Sequence, residues 1–194
     1  MEVYEKRGFH YEKRVSSWDG KTVLNEGREF GKKRKKDDLW KQCWSLNVPN
    51  AVKMYLWKAC HNLLPTKANL FRRGVHDTSQ CLICLRAEET VVHVAWACPT
   101  ASDAWGESRI RLQKSVSGEY DFAQVFMDVV SRCEKEEVQL FGVLSRHLWL
   151  RRNDYVHEGN LTHPSQVVRD AKTALVEFQR VNNVGAAGTR SHHT

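Results

Sequence analysis

The sequence has no uninterrupted apolar run of the roughly 18 residues that a membrane-spanning helix needs. Near the amino terminus it also lacks the short apolar core of a secretory signal peptide. We therefore expect no membrane partner and no secretion, and a nuclear or cytoplasmic location. The six cysteines would then lie in a reducing compartment, where metal binding is more common than disulfide formation.

Signatures of common catalytic sites are also missing. There is no Gly-rich phosphate loop, no Gly-x-Ser-x-Gly motif and no carboxylate cluster with the spacing of two-metal chemistry. Asp37 and Asp38 follow two lysines and precede a helical pattern, so we interpret them as helix caps rather than polymerase aspartates. Cys60 and His61 are adjacent, and neighbours on a helix point about 100° apart, which argues against a Cys–His nucleophile. We expect a protein that is not an enzyme, and a residual nuclease is the least favoured class.

Four side chains that can bind zinc lie close together in the sequence. They form the pattern C-x2-C-x8-H-x4-C and are Cys81, Cys84, His93 and Cys98. Structural zinc sites often combine a tight Cys-x-x-Cys turn with a second ligand pair three to five residues apart. A helix that starts at residues 88–90 would carry His93, and Pro99 would end it just after Cys98. Because protein atoms would fill all four positions, one zinc ion here would be structural. The alternative is three buried thiols and an unrelated histidine.

Helical spacing of apolar residues prevails elsewhere, and alternating strand patterns are scarce. The predicted helices cover about 39–46, 50–62, 67–73, 122–133, 136–155 and 165–182. Cys43, Cys60 and Cys133 fall at core-like positions of these patterns, so we predict that they are not ligands. The fold class is therefore mainly α, an irregular helical domain with a small structural zinc knuckle.

Composition and charge divide the chain into four predicted segments. Residues 1–36 carry 11 Lys/Arg against 6 Asp/Glu, whereas the rest of the chain carries 19 against 17. We expect a disordered basic segment (1–36), a helical zinc-binding domain (37–106), C-terminal helices packed on it (107–183) and a flexible tail (184–194). The basic segment ends in Lys32, Lys33, Arg34, Lys35 and Lys36. This run is typical of a nuclear-import signal or a phosphate-binding patch, or it is an ordinary solvated charge run.

Further candidate contacts to nucleic acid lie on the predicted helices. Lys53, Trp57 and His61 recur every four residues, away from the main apolar stripe. The aromatic ring could stack on a base while Lys53 meets a phosphate, or Trp57 could simply cover the core. The remaining candidates for phosphate contacts, or for solvated surface, are Arg72, Arg73, Arg151 and Arg152.

A longer set of spaced residues surrounds the cysteines. It reads Leu39-Trp40-(x3)-Trp44-(x)-Leu46-(x)-Val48-Pro49-(x2)-Val52-Lys53-(x2)-Leu56-Trp57-Lys58-Ala59-(x)-His61-(x2)-Leu64-Pro65-Thr66-(x2)-Asn69-Leu70-(x)-Arg72-Arg73. It continues through Cys81-(x2)-Cys84, Glu89-Thr90-(x2)-His93, Cys98-Pro99 and Trp105. Over about 38–106 this pattern resembles the reverse-transcriptase zinc-binding domain that lies downstream of the polymerase in plant non-LTR (LINE-type) retrotransposons. The resemblance implies that Cys81, Cys84, His93 and Cys98 bind zinc.

The carboxyl-terminal part adds to the resemblance. Trp149-(x)-Arg151-Arg152-Asn153 and the helix after Pro164 resemble the segment that follows this module in such elements, where it usually leads into an RNase H-like domain. The polymerase and RNase H portions are missing from this sequence, which predicts a truncated copy. We expect non-catalytic binding of RNA or single-stranded DNA. The alternative is a zinc-stabilised protein-interaction or scaffold module without specific nucleic-acid binding.

Overall fold

A computed structural model describes residues 39–108 and 121–188, with side chains as far as residue 182. The basic run 32–36 and most of the loop predicted between Ile110 and Asp121 lie outside these residues. None of the described helices is long and apolar enough to cross a membrane.

The described chain is helical throughout, apart from its connections. Residues 39–45 form α1, and the other helices are α2 (Asn50–Cys60), α3 (Lys67–Arg72), a π-helical turn (His93–Ala97), α4 (Pro99–Ser108), α5 (Phe122–Arg132), α6 (Lys135–Glu158) and α7 (Pro164–Gly188). These residues contain no β-strand, only an isolated antiparallel bridge between Gln80 and Glu88. The predicted mainly α fold is confirmed. Because α7 runs to Gly188, the first residues of the segment predicted as a flexible tail are helical.

Local sequence signals set several helix ends. The Thr66 hydroxyl accepts a hydrogen bond from the Asn69 N–H at 3.3 Å and caps α3, as predicted. Asp121 and Gln124 form a reciprocal capping box at the start of α5. Gly159 ends α6 with a φ of 72°, which glycine adopts without steric cost. Helix α2 begins at Asn50, as predicted, and Pro49 with its extended ψ of 144° is the N-cap residue.

Helix α6 is the centre of the core. It packs against α2, α5, α7 and the π-helical turn. The ring of Phe141 is fully buried and lies 5.1 Å from Trp105 and 6.3 Å from Phe126, measured between ring centroids. Gly142 allows the close approach of α2, since a Cβ there would lie 3.0 Å from Leu56. Helix α6 is thus enclosed from several sides. A charged side chain that is buried on this helix must therefore find a partner inside the protein.

One such partner is Glu89, which lies just before the π-helical turn and has no exposed surface. Its Oε1 accepts hydrogen bonds from the Arg152 guanidinium at 2.5 Å and from the Lys67 N–H at 2.8 Å. The Arg152 guanidinium also lies 5.1 Å from the centroid of the Trp149 ring. The ion pair therefore joins the segment that precedes the π-helical turn to α3 and to α6.

Removing one partner of this buried pair should destabilise the protein strongly. Glu89→Ala would leave the Arg152 charge buried without its carboxylate, and we expect the free energy of unfolding to fall by about 3–5 kcal/mol. Urea unfolding of the zinc-loaded protein, followed by circular dichroism, measures this change.

The matched control is the double variant Glu89→Leu/Arg152→Met, which removes both charges and keeps apolar volume. It should lose less stability than the two single variants combined, because neither charge remains uncompensated. Additive losses would contradict direct coupling between the two side chains.

Candidate metal centre

The four predicted zinc ligands converge in space. The ligand atoms of Cys81, Cys84, His93 and Cys98 all lie within 4.8 Å of one another. Zinc bonds of about 2.3 Å to sulfur and about 2.0 Å to nitrogen place tetrahedral ligand atoms roughly 3.5–3.8 Å apart. The separation of 3.3 Å between Cys84 Sγ and His93 Nε2 is close to that value. The donor set and its spacing fit one zinc ion, and the predicted convergence is confirmed.

A tight turn presents Cys81 and Cys84. The Cys81 carbonyl accepts a hydrogen bond from the Leu85 N–H at 3.0 Å, and the Cys81 N–H donates to the Ala87 carbonyl at 2.9 Å. Leu85 has a φ of 55°, which reverses the chain just after the second cysteine. Backbone N–H groups of Ile83 and Cys84 point at the Cys81 sulfur. Such amides stabilise negative charge on sulfur, as a metal-bound thiolate requires.

The second pair of ligands is set by the π-helical turn, which the sequence did not reveal. The Cys98 N–H donates to the His93 carbonyl at 2.7 Å, a bond across five residues. In an α-helix, side chains five residues apart would point about 140° from each other. The wider π turn reduces this angle, so that His93 and Cys98 face the same point. The Thr90 hydroxyl accepts a hydrogen bond from the His93 N–H at 3.1 Å and fixes the start of the turn.

Contacts among the four ligand side chains shift the pKa values of Cys81, His93 and Cys98. A hydrogen bond from Cys81, together with contacts to His93 and Thr100, lowers the pKa of the Cys98 thiol to about 3. The same bond raises the pKa of Cys81. Burial disfavours the charged form of His93, but Cys98 and Cys84 outweigh burial and raise its pKa. The site therefore concentrates negative charge on sulfur, which suits a divalent cation.

Arg151 lies beside the metal site. Arg151 and Arg152 were both candidates for contacts to nucleic acid, and both are buried. Only 5 % of Arg151 is exposed, and its guanidinium donates to the carbonyls of Thr162 at 2.6 Å and Thr100 at 3.0 Å. Three thiolates and a neutral histidine around zinc carry a net charge of −1, which the nearby guanidinium offsets. Arg152 is equally buried, in its ion pair with Glu89. Neither arginine is available to a phosphate, so the prediction of phosphate contacts by these two is wrong.

The other predicted contacts lie at the surface. Lys53, Trp57 and His61 are half-buried on α2, and the Trp57 and His61 rings are 4.8 Å apart. Arg72 and Arg73 are exposed at the end of α3. Lys32, Lys33, Arg34, Lys35 and Lys36 lie outside the described residues.

The remaining cysteines do not join the metal centre. In the part of the chain that the structure describes, the cluster of potential ligands contains none of Cys43, Cys60 and Cys133. Cys43 is fully buried in the core and hydrogen-bonds to Cys60. Burial raises the pKa of the Cys133 thiol. All three cysteines are buried or half-buried in the described structure, which is typical of structural thiols.

Comparison with known families agrees with this geometry. Residues 28–105 match the family described as zinc-binding in reverse transcriptase. This segment belongs to the reverse-transcriptase zinc-binding family. Together with the comparison below, the match makes it a retrotransposon-derived zinc-binding domain, whose four ligands form a single site for zinc. The match ends within one residue of the boundary expected from the sequence and begins ten residues before Asp38.

A related protein of Arabidopsis thaliana is named for a proposed ribonuclease H activity. It is 29 % identical to this chain over 62 residues, which are 32 % of the chain and 10 % of the Arabidopsis protein. The chain therefore spans only about a tenth of the length of that relative. No solved structure matches the chain.

The zinc-binding domain should contain one zinc ion per chain when purified without chelator. Because Cys98 supplies one of the four converging ligand atoms and directly follows the π-helical turn, Cys98→Ala should reduce the zinc content by at least half. Elemental analysis of the folded protein measures the content.

Cys133→Ala is the matched control, since it removes a thiol from the same chain outside the cluster and should leave one equivalent in place. A well-folded wild-type protein with zinc near zero would contradict the assignment, as would loss of zinc in the control.

Proposed function

We propose that the protein is a non-catalytic module that binds single-stranded RNA or DNA through one face of α2. The observation that carries this proposal is the contact between Trp57 and His61, whose ring planes are inclined by 36° at the partly exposed surface of the helix. Aromatic rings at such a surface can stack on nucleobases irrespective of their sequence.

Positive charge accompanies the rings. The Lys53 ammonium lies one helical turn before Trp57 and donates one hydrogen bond to the Trp44 carbonyl at 3.1 Å. An ammonium group has three N–H donors, so a phosphate can still bind. Trp44 in turn packs on Trp40, which is 48 % exposed, with 4.9 Å between the ring centroids. Basic and aromatic groups therefore alternate from the end of α1 along α2.

Zinc has a structural role in this proposal. A metal ion with four protein ligands has no open position for a water molecule or a substrate oxygen. The ion would hold the knuckle and the π-helical turn against α6, and the nucleic acid would contact other side chains. Binding should therefore need zinc for folding of the segment and not for chemistry.

A second candidate function is an interaction module, which one observation favours. Three large apolar side chains between α2 and the knuckle are well exposed: Leu63 (46 %), Phe71 (49 %) and Val75 (68 %). Neighbouring exposed apolar residues are more typical of protein contacts than of nucleic-acid contacts.

Replacing Trp57 distinguishes the two functions. Trp57→Ala should weaken binding of the full-length protein to a single-stranded oligonucleotide by about 1–3 kcal/mol, because a stacking surface is lost. Trp57→Phe should retain most of the affinity, since it keeps an aromatic face. Fluorescence anisotropy with a labelled uridine oligomer measures both, and circular dichroism checks the fold.

Phe71→Ala is the matched control, because it removes an equally exposed aromatic ring from another helix. It should leave oligonucleotide affinity unchanged. If Trp57→Ala binds as well as the wild type, or if no salt-sensitive binding to RNA or DNA occurs, the interaction module replaces this proposal.

A further inference from the structure

A cleft of about 490 Å³ lies between the end of α2, the segment before the π-helical turn and the start of α5. This volume falls within the range of about 300–1,000 Å³ that is usual for small-molecule sites. Apolar groups form part of its lining, among them the half-buried side chains of Cys60 and Val92. The apolar lining can receive a flat ring.

Charged groups of both signs also line the cleft. They are the Arg72 guanidinium and the carboxylates of Glu88 and Asp121. Arg72 Nη2 and Glu88 Oε1 are 3.9 Å apart, which is too long for a hydrogen bond, and both side chains are about half exposed. A pair of this kind contributes little to stability, so a ligand can take its place at low cost.

The charged groups that line the cleft indicate which class of ligand it can bind. Two carboxylates against one guanidinium repel a phosphate group but provide acceptors for N–H donors. Guanine carries two adjacent N–H donors, N1–H and N2–H, on the edge that also carries O6. One carboxylate can accept both donors while a guanidinium donates to O6 or N7. The other common bases do not combine two adjacent N–H donors with an acceptor in this order.

We infer that the cleft binds a guanine base, with Glu88 accepting from N1–H and N2–H and Arg72 donating to O6. The adjacent positions of Arg72 and Glu88 match the adjacent positions of O6 and N1 on the guanine edge. Asp121 is already engaged as the helix cap, since its Oδ1 accepts from the Gln124 N–H at 2.8 Å. This inference takes the origin of its ligand, an unpaired base in a single strand, from the proposed function.

Free nucleosides test the cleft without any contribution from phosphate. Guanosine, adenosine, cytidine and uridine are titrated in turn into the full-length, zinc-loaded protein, and heat release measures the affinity. Guanosine should bind about ten- to a hundredfold more tightly than the other three, the range expected for one bidentate base contact. Equal affinity for all four, or no binding of guanosine, would overturn the inference.

Two isosteric variants locate the contact. Glu88→Gln should abolish the preference for guanosine, because one of the two acceptor oxygens becomes an NH2 donor that would face an N–H group of the base. Asp121→Asn changes the same charge in the same cleft and keeps the cap of α5, since asparagine caps helices as well as aspartate does. It should retain the preference. The reverse pattern would refute the contact to Glu88, and zinc content and circular dichroism verify that both variants fold.

The outcome is separable from that of the proposed function. Binding of a uridine oligomer that depends on Trp57, with no binding of guanosine, would overturn this inference alone. Binding of guanosine by a protein that binds no oligonucleotide would support the cleft and overturn the strand-binding function.

Discussion

The carboxylate of Glu89 connects parts of the chain that are remote in sequence. One oxygen accepts from the Arg152 guanidinium and from the first N–H of α3, and the backbone of Glu89 bonds to Ser79 and Ala68 on either side. The Glu89 side chain itself has no exposed surface. Because a buried charge without a partner is costly, the position of α6 relative to the zinc knuckle depends on this contact.

Zinc binding stabilises the segment that Glu89 joins to α3 and α6. The zinc knuckle, residues 81–98, contains no β-strand and no long helix. Half-buried residues such as Ile83 and Val92 lie between its ligands. A structural zinc ion contributes an apparent 10–16 kcal/mol in small domains of this kind. Arg151 extends the coupling, since its guanidinium lies near Cys98 and bonds to the carbonyls of Thr100 and Thr162. The two adjacent arginines of α6 thus support the knuckle, one through Glu89 and one through the metal centre.

Features that depend on the spacing of nearby residues were easier to predict from the sequence than contacts between distant residues. The zinc ligands, the Thr66 cap and the helical segments were predictable, because spacing and capping are local properties. The π-helical turn was not, since it differs from an α-helix only by the extra residue that brings His93 and Cys98 together. The burial of Arg152 was also missed, because its partner Glu89 lies 63 residues away and an arginine pair on a helix is usually solvated. Charge alone cannot tell a basic surface from a buried ion pair.

Burial of these arginines restricts where a nucleic acid can bind. Among the predicted contacts in the described residues, those that remain accessible lie on or next to α2 and α3: Lys53, Trp57, His61, Arg72 and Arg73. Trp57 precedes Cys60, which lines the cleft at the end of α2, by three residues, or roughly 4–5 Å along the helix axis. Successive bases stacked as in one strand of a duplex are about 3.4 Å apart, and an unstacked strand extends further. A strand whose base stacks on Trp57 can therefore reach the cleft with a base one or two positions along. A sequence-tolerant contact on α2 would then lie close to a base-selective contact at Arg72 and Glu88.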